Sequence, residues 1–349
     1  MTNHEETTVR ITGVGSELPA DVVTTAEVEE RAGLCERFGL EPGWLEHVTG
    51  VRTRRWASAE VQPSELATAA GGKALARAGL DPLEVDTLIF AGITRDCLEP
   101  ATANLVAEAV GARNARVFDL LNACNSLVDA IDVGDSLIRC GKAERVLVAT
   151  GERASLAIDW QARTMEELLQ AVAGLVVGDG GGAVVLEPSD DPGRGLRARE
   201  FRSDAPLWRH AIGGRFRPGT QACELCGGLL DRTFHCDGRN LFAAAFGLLY
   251  PTMETVMQRT GWGYDELDVI FCHQPTKRFV EKAIPFLGDL GRAADKLWGT
   301  AERYGNTSTT SLALAMAEAE AAGTLAAGAK VLVLAPSSGV SAAAMTMVW

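Results

Sequence analysis

The chain of 349 residues is 47% hydrophobic and 23% charged, as expected for a globular protein with two domains or two halves around a shared interior. Its formal net charge of −13 argues against nucleic acid or an anionic membrane as a partner. No stretch of the sequence is long and apolar enough to span a bilayer.

The first six residues are polar and acidic, and no apolar signal-peptide core follows them. We therefore expect a cytoplasmic location. In that compartment the eight cysteines are expected to remain thiols and not to form a disulfide framework.

Strand and helix patterns alternate in chain order, which predicts an α/β fold. A helical pattern over 64–78 precedes a buried strand over 86–92. A strand-like segment, 118–121, leads to Cys124, and a pattern with helical spacing follows from Leu127 onward. The remaining predicted elements are buried strands over 146–150, 183–186, 269–272 and 331–334, and an Ala-rich helix over 311–325.

Two pairs of these segments resemble each other at a similar spacing along the chain. They are 86–91 with 268–273, at an offset of about 182, and 141–151 with 328–338, at an offset of about 185. The pattern predicts two duplicated halves, residues 1–187 and 188–349, which meet at a turn-rich connection. The same offsets carry Cys124 to the segment 306–309, so we expect Cys124 and Asn306 at equivalent strand-to-helix corners.

Residues 203–238 show little periodicity and are predicted to form an irregular insertion, a natural place for a substrate entrance. Cys223, Cys226 and Cys236 in this insertion have some likeness to a zinc knuckle. Loop thiols explain them better, and no metal site is predicted.

Cys124 is the candidate nucleophile. At a helix N-terminus, free N–H groups and the helix dipole favour a thiolate, which can attack an acyl group. His273 and Asn306 lie in later segments that could supply a base and a hydrogen-bond donor. The alternatives are a buried inert thiol for Cys124, a core histidine for His273 and a helix cap for Asn306.

Ordered segments along nearly the whole chain resemble the thiolase superfamily, and within it the β-ketoacyl-acyl-carrier-protein synthase III group. They are 13–19, Trp44 with 49–51, 122–124, 178–183, 273–274, 305–308 and 338–339. The resemblance implies a five-layered αβαβα thiolase fold, a homodimer, and a triad of Cys124, His273 and Asn306. It also implies acyl-CoA or acyl-carrier-protein thioesters as substrates, with no cofactor.

In this family the cysteine takes an acyl group from a thioester, so Cys124 is expected to do so here. His273 and Asn306 would then donate hydrogen bonds to the enolate oxygen of a second thioester. The resemblance assigns the oxyanion hole to the backbone N–H groups of Cys124 and Gly339.

Three further residues are candidates for contacting the substrate or its carrier. Trp44 belongs to a matched segment, and Lys277 and Arg278 follow the His motif, where the family binds an acidic carrier protein. The alternative for Lys277 and Arg278 is an ordinary solvated helix face.

Residues 96–103 resemble the OleA-type thiolases, which join two acyl groups head to head. In that subgroup the corresponding Glu reaches into the partner subunit and acts as a base, so Glu99 is predicted to deprotonate the second thioester. The alternative for Glu99 is a solvated loop residue. Pro275-Thr276 and Val48 depart from the initiation enzymes, which indicates a specialised, natural-product pathway.

The preferred function is therefore a Claisen condensation through an acyl-Cys124 intermediate. One rival is transfer of the acyl group to a hydroxyl or amine, with His273 as general base. Another is a non-catalytic partner subunit of a heteromeric synthase.

Overall fold

The computed structural model describes residues 7–216, 230–286 and 288–349. Two main sheets carry most of the strands. The strands are β1 (Val9–Glu17), β2 (Asp21–Thr24), β3 (Thr53–Trp56), β4 (Thr87–Phe90), β5 (Arg116–Asp119), β6 (Val146–Glu152), β7 (Gly180–Pro188), β8 (Gly195–Ser203), β9 (Ala211–Phe216), β10 (Leu230–Cys236), β11 (Val269–Cys272), β12 (Lys330–Ser337) and β13 (Ser341–Val348).

Helices connect and cover these strands. The α-helices are α1 (Thr25–Ala32), α2 (Leu34–Phe38), α3 (Trp44–Thr49), α4 (Pro63–Ala78), α5 (Thr102–Val110), α6 (Ser126–Arg139), α7 (Met165–Leu175), α8 (Gly238–Thr260), α9 (Lys277–Ala283), α10 (Ala301–Tyr304) and α11 (Ser311–Ala321). No helix within the described ranges combines the length and apolarity needed to cross a bilayer.

The two main sheets divide the chain between them. The first has the order β1-β7-β6-β4-β5 and uses only strands that end by Pro188. The second has the order β11-β12-β13-β8 and begins at Gly195. Each sheet contains a parallel pair, β4–β6 or β11–β12, that is extended by an antiparallel neighbour.

Three apolar clusters hold the sheets and helices in five layers, αβαβα. In the central cluster α6 and α11 are buried between the two sheets, through Leu127, Ile131, Leu312 and Met316. A second cluster joins α4 and α5 to the outer face of the first sheet. A third joins α8 to the outer face of the second sheet. Because α11 lies between two sheets, its first six residues are all buried, as its Ala-rich sequence suggests.

The predicted strands and helices are present, with ends that differ by a few residues. The strand over 269–272 has its predicted bounds, and the helix predicted over 311–325 ends at Ala321. The prediction of irregular structure over 203–238 is wrong for the described part, because β9 and β10 pair as an antiparallel hairpin. The consecutive glycines Gly213 and Gly214 hide the alternation that would have indicated β9.

Candidate active site

Cys124 lies at the corner between β5 and α6. The residue before it, Ala123, has φ 47°, in the left-handed region that a residue with a Cβ keeps only when its surroundings fix it. Ser126 supplies that constraint. Its hydroxyl accepts the Asn122 N–H at 2.8 Å and donates to the Ala123 carbonyl at 2.7 Å. The corner is thus fixed by the first residue of the helix.

The Cys124 side chain is half-buried. Burial and the charge of Glu152 raise the pKa of its thiol to about 11, whereas a hydrogen bond from Ser308 and the nearby Ser337 hydroxyl act to lower it. The Ser308 Oγ lies 3.8 Å from the Cys124 Sγ. The sequence predicted that the helix N-terminus favours a thiolate, but in the structure burial outweighs that effect. The resting group at neutral pH is therefore a thiol.

Ser308 links the three residues of the predicted triad. Its hydroxyl contacts Cys124, and its backbone N–H donates to the Asn306 Oδ1 at 2.9 Å. Its carbonyl accepts the Ser311 hydroxyl at 2.9 Å, and that same hydroxyl lies 2.9 Å from the His273 Nδ1. The structure thus brings Cys124, Asn306 and His273 together around one serine.

His273 follows β11 and is only 1% exposed. Its N–H donates to the Leu334 carbonyl at 2.8 Å, which continues the pairing of β11 with β12. Burial lowers the pKa of His273 to about 4, so the imidazole is neutral at physiological pH. The Ser311 hydroxyl has a single proton, which goes either to the Ser308 carbonyl or to Nδ1, and the tautomer of His273 follows from that choice. When the hydroxyl donates to Nδ1, Nε2 carries the proton and is a hydrogen-bond donor.

Asn306 is held from both sides by its backbone. Its N–H donates to the Val176 carbonyl, and its carbonyl accepts the Gly178 N–H, both at 2.9 Å. The two segments approach closely because Gly305 has no side chain: a Cβ there would lie 2.2 Å from the Val176 oxygen. With Oδ1 occupied by the Ser308 N–H, the Nδ2 of Asn306 is the group available to a substrate.

The two corners correspond, but the second follows the short helix α10 and not the predicted strand, and its register differs from the predicted one. The left-handed residues Ala123 and Ser308 are 185 positions apart, as are Ser126 and Ser311, which begin α6 and α11. This spacing aligns Cys124 with Thr309. Asn306 therefore lies at the same corner as the equivalent of Cys124, three residues earlier in the chain.

Glu99 is exposed in the connection between β4 and α5. Within the described residues, no hydrogen bond joins it to Cys124, His273 or Asn306. Gly339 is also exposed, in the turn between β12 and β13, with φ 122°. Ser337, the last residue of β12, lies two residues before Gly339 and near enough to Cys124 to lower the pKa of its thiol.

The predicted carrier-binding residues lie on one side of a surface cavity between α3 and α9. Lys277 and Arg278 line it, together with His47 and Arg52, whereas Trp44 packs into an apolar cluster beside it. Lys277 is paired with a glutamate of α10 at 2.6 Å, and Arg278 with one of α9 at 2.5 Å. An anionic carrier would have to compete with these carboxylates.

Of the three cysteines compared with a zinc knuckle, only Cys236 belongs to the part of the chain that the structure describes. Cys223 and Cys226 lie outside the described residues. Cys236 is buried at the end of β10, and the neighbouring His235 bonds the Thr233 hydroxyl at 3.0 Å. Across residues 7–216, 230–286 and 288–349, no group of three or more His, Cys, Asp or Glu side chains is arranged to hold a metal.

Three residues around Cys124 were not predicted from the sequence. Ser308 belongs to the same motif as Asn306, but only Asn306 was predicted to take part in the site. Glu152 and Ser337 are the last residues of β6 and β12. Polar residues at the ends of buried strands were the available signal, because neighbouring strand ends converge at one edge of a sheet.

Comparison with known families gives two matches. Residues 118–205 match the family described as 3-oxoacyl-[acyl-carrier-protein (ACP)] synthase III, and residues 257–349 match the C-terminal part of that enzyme. The beta-ketoacyl-[acyl-carrier-protein] synthase III of Sinorhizobium medicae is 31% identical over 345 residues, which cover 97% of this chain and 98% of the relative. A Streptomyces coelicolor synthase III is 32% identical over an alignment that covers 97% of this chain and 96% of the relative.

Two solved structures show the same fold over the whole length. The 3-oxoacyl-[acyl-carrier-protein] synthase III of Aquifex aeolicus is 28% identical, with a TM-score of 0.81 over 98% of this chain and 100% of its own. Cerulenin-bound OleA of Xanthomonas campestris is 25% identical, with a TM-score of 0.88 over 100% of this chain and 99% of its own. The fold is therefore common to both kinds of enzyme.

Proposed function

We propose that this chain, which belongs to the 3-oxoacyl-[acyl-carrier-protein] synthase III family of acyltransferase-type condensing enzymes, joins two acyl thioesters through an acyl-Cys124 intermediate. The observation that carries the proposal is the Ser308 network, which holds Cys124, Asn306 and His273 around one point. The substrates are acyl groups carried on CoA or on an acyl carrier protein, and the pathway is a specialised one.

Acylation is the first step. The Cys124 sulfur attacks the carbonyl carbon of an acyl thioester, and the backbone N–H groups of Cys124 and Gly339 bind the oxyanion. As the tetrahedral intermediate collapses, the bond from carbon to the carrier sulfur breaks. The proton lost by Cys124 leaves with the carrier thiol. The hydroxyl groups of Ser308 and Ser337 stabilise the sulfur while it is negatively charged.

Condensation is the second step. Glu99 of the partner subunit takes a proton from the α-carbon of a second acyl thioester, and the resulting enolate oxygen accepts hydrogen bonds from His273 Nε2 and Asn306 Nδ2. The α-carbon attacks the acyl carbonyl, the carbon–sulfur bond to Cys124 breaks, and the thiolate regains a proton. The product is a β-ketoacyl thioester. The neutral imidazole and the orientation of the Asn306 amide both support this donor role.

A homodimer would deliver Glu99 to the second site. β5 is an edge strand of the first sheet. The N–H groups of Arg116 and Leu120 point toward β4. Because successive N–H groups of a strand alternate in direction, the N–H of Val117 points away from the sheet. Leu98, beside Glu99, is 73% exposed, and such an apolar side chain is suited to an interface. These features support dimerisation through β5.

Intact-protein mass spectrometry with a series of acyl-CoAs tests the proposal. We expect a mass increase equal to the acyl group, lost in Cys124→Ser, and a preference among chain lengths that identifies the substrate. No increase with any donor would favour a non-catalytic subunit.

Acyl transfer to a hydroxyl or amine is the second candidate, and it depends on the His273 tautomer. If Nδ1 donates to Ser311, Nε2 becomes an acceptor and can remove a proton from an alcohol. Asn306→Ala separates the candidates, because it removes an enolate donor that transfer to an alcohol does not need. A full condensation rate in this variant would overturn the role given to Asn306.

A further inference from the structure

Glu152 is a buried carboxyl group that the steps above do not use. It ends β6 and is 1% exposed. Its two oxygens accept the backbone N–H groups of Ile93 and Thr94 at 2.8 and 3.1 Å, and the hydroxyls of Thr94 and Thr309 at 2.8 and 2.6 Å. Burial raises the pKa of Glu152, and these bonds act in the opposite direction. Because all four partners donate, the carboxylate is the form that satisfies them.

The partners on one side belong to the connection from β4 to α5, residues 91–101, which we call the Glu99 loop. Glu152 anchors its beginning. Asp96 anchors its middle by accepting an N–H from the first turn of α4 at 3.0 Å. Asp119 anchors its end by accepting an N–H of α5 at 2.9 Å. Glu99 lies between the last two anchors and is exposed.

The partner on the other side belongs to the nucleophile corner. Thr309 follows Ser308 directly, and a further hydrogen bond joins Thr309 to the Thr150 hydroxyl of β6. Glu152 is also close enough for its charge to act on the Cys124 thiol. One carboxylate therefore connects the Glu99 loop to the corner that holds the nucleophile.

We propose that Glu152 is a positioning residue that fixes the Glu99 loop relative to the nucleophile corner, so that condensation depends on it and acylation does not. The inference rests on the proposed function in that it takes Glu99 as the base. A glutamate delivered to another site must be held within a fraction of an ångström to remove a proton, and an exposed loop needs a rigid anchor for that.

Glu152→Gln is the first test. The glutamine amide places an NH2 group where a carboxylate oxygen accepted two hydrogen bonds, so those two bonds to the anchor are lost. The substitution also removes the negative charge of Glu152. We expect acyl-Cys124 to form at least as fast as in the unaltered enzyme while the rate of β-keto product formation falls about tenfold or more. A condensation rate that is unchanged, or that falls only in proportion to acylation, would overturn the proposal.

The reactivity of the thiol gives a second readout that a purely structural role would not move. Among the described residues, Glu152 is the titratable group whose charge acts on Cys124, and the charge of Cys124 acts in turn on Cys236. Removal of the Glu152 charge lowers the thiol pKa, so alkylation by iodoacetamide at pH 8.5 is expected to be about threefold faster in Glu152→Gln. Glu152→Asp keeps the charge but is too short to reach the loop. It should therefore lose condensation without faster alkylation.

Asp179→Asn is the matched control for loss of a buried carboxylate. Asp179 is fully buried and accepts the Ala57 N–H and the Ser155 N–H and hydroxyl, but it does not touch the Glu99 loop. We expect lower thermal stability and an unchanged ratio of condensation to acylation. The same change of ratio in this control would overturn the specific role of Glu152. If Glu152→Gln does not fold, Thr94→Val removes one anchor bond and should show a smaller change of the ratio in the same direction.

Glu99→Gln, measured in parallel, separates this inference from the proposed function. A normal condensation rate in Glu99→Gln overturns the base assignment, and with it the reason for anchoring the loop. A slow Glu99→Gln together with a normal Glu152→Gln overturns only the role of Glu152.

Discussion

Cys124 combines two properties that are usually opposed in a nucleophile: it lies at a helix N-terminus, yet its thiol is harder to ionise than a free one. Burial and the Glu152 charge raise its pKa to about 11, and two serine hydroxyls partly offset them. A thiol of this kind is protected from alkylation and oxidation while no substrate is bound. Its reactivity then depends on the hydroxyls that stabilise the sulfur as it gains charge.

Replacement of these hydroxyls should make the thiol less acidic. In Ser308→Ala and Ser337→Ala one stabilising hydroxyl group is lost, so we expect the thiol pKa to rise further in each variant. Because the thiolate fraction increases with pH, the alkylation profile should shift to higher pH. The measurement is the rate of iodoacetamide alkylation of Cys124 against pH.

Ser338→Ala is the control for these variants. Ser338 lies in the same turn as Ser337, but its side chain is not among the groups that act on the thiol. Its alkylation profile should match that of the unaltered protein. An unshifted profile in both Ser308→Ala and Ser337→Ala would show that the hydroxyls do not stabilise the thiolate.

Among the elements, α4 shows how closely helix and sheet pack in this fold. It lies against β1, β6 and β7, and its first turn passes directly over Gly151 of β6. A Cβ at Gly151 would stand 1.9 Å from the Pro63 carbonyl oxygen. Gly151 precedes Glu152, so this contact also sets the position of the buried carboxylate. The consecutive residues Gly151 and Glu152 therefore link the packing of α4 on β6 to the position of the buried carboxylate.

Gly151→Ala and Gly72→Ala should change stability in opposite directions. In Gly151→Ala backbone atoms must move apart, at a cost of about 3 kcal/mol. Gly72 is exposed within α4, and a Cβ there meets nothing within 4 Å, so Gly72→Ala should stabilise the helix by about 0.5–1 kcal/mol. Urea unfolding of both variants measures the difference. A neutral Gly151→Ala would contradict the close packing of α4 on β6.

At the scale of the whole molecule, the two sheets and the shared α6–α11 layer bring together Cys124, His273 and Asn306 but not Glu99, the proposed base. Those three residues come from both halves of one chain, whereas Glu99 is exposed in the connection between β4 and α5. If Glu99 acts on the partner's Cys124, neither protomer alone can condense. The proposed dimer would then be a requirement of the chemistry.

Co-expression of Cys124→Ser with Glu99→Gln tests this arrangement. Each variant alone should lack condensation. A mixed dimer has one site with both an intact Cys124 and an intact Glu99, so random pairing should restore about a quarter of the activity. The assay is β-keto product formed by the co-purified pair, with the separately purified variants, mixed without exchange, as the control. No recovery in a verified mixed dimer would mean that Glu99 serves its own chain.

The sequence by itself determined the local features of this protein. Apolar runs located the buried strands and the helix α11, because burial on both faces leaves a continuous apolar pattern. The duplication and the ordered motifs predicted the family, and they singled out Cys124, His273 and Asn306, whose residue types carry their chemistry.

Only the tertiary structure decided how these residues work together. The ionisation of Cys124 depends on burial and on Glu152, Ser308 and Ser337, which come from three distant parts of the chain. No spacing along the sequence encodes that convergence, because a pKa reflects every charge and hydrogen bond that surrounds a group in space. The sequence therefore predicted a thiolate at the helix N-terminus, whereas the surroundings of Cys124 in the fold keep it a thiol.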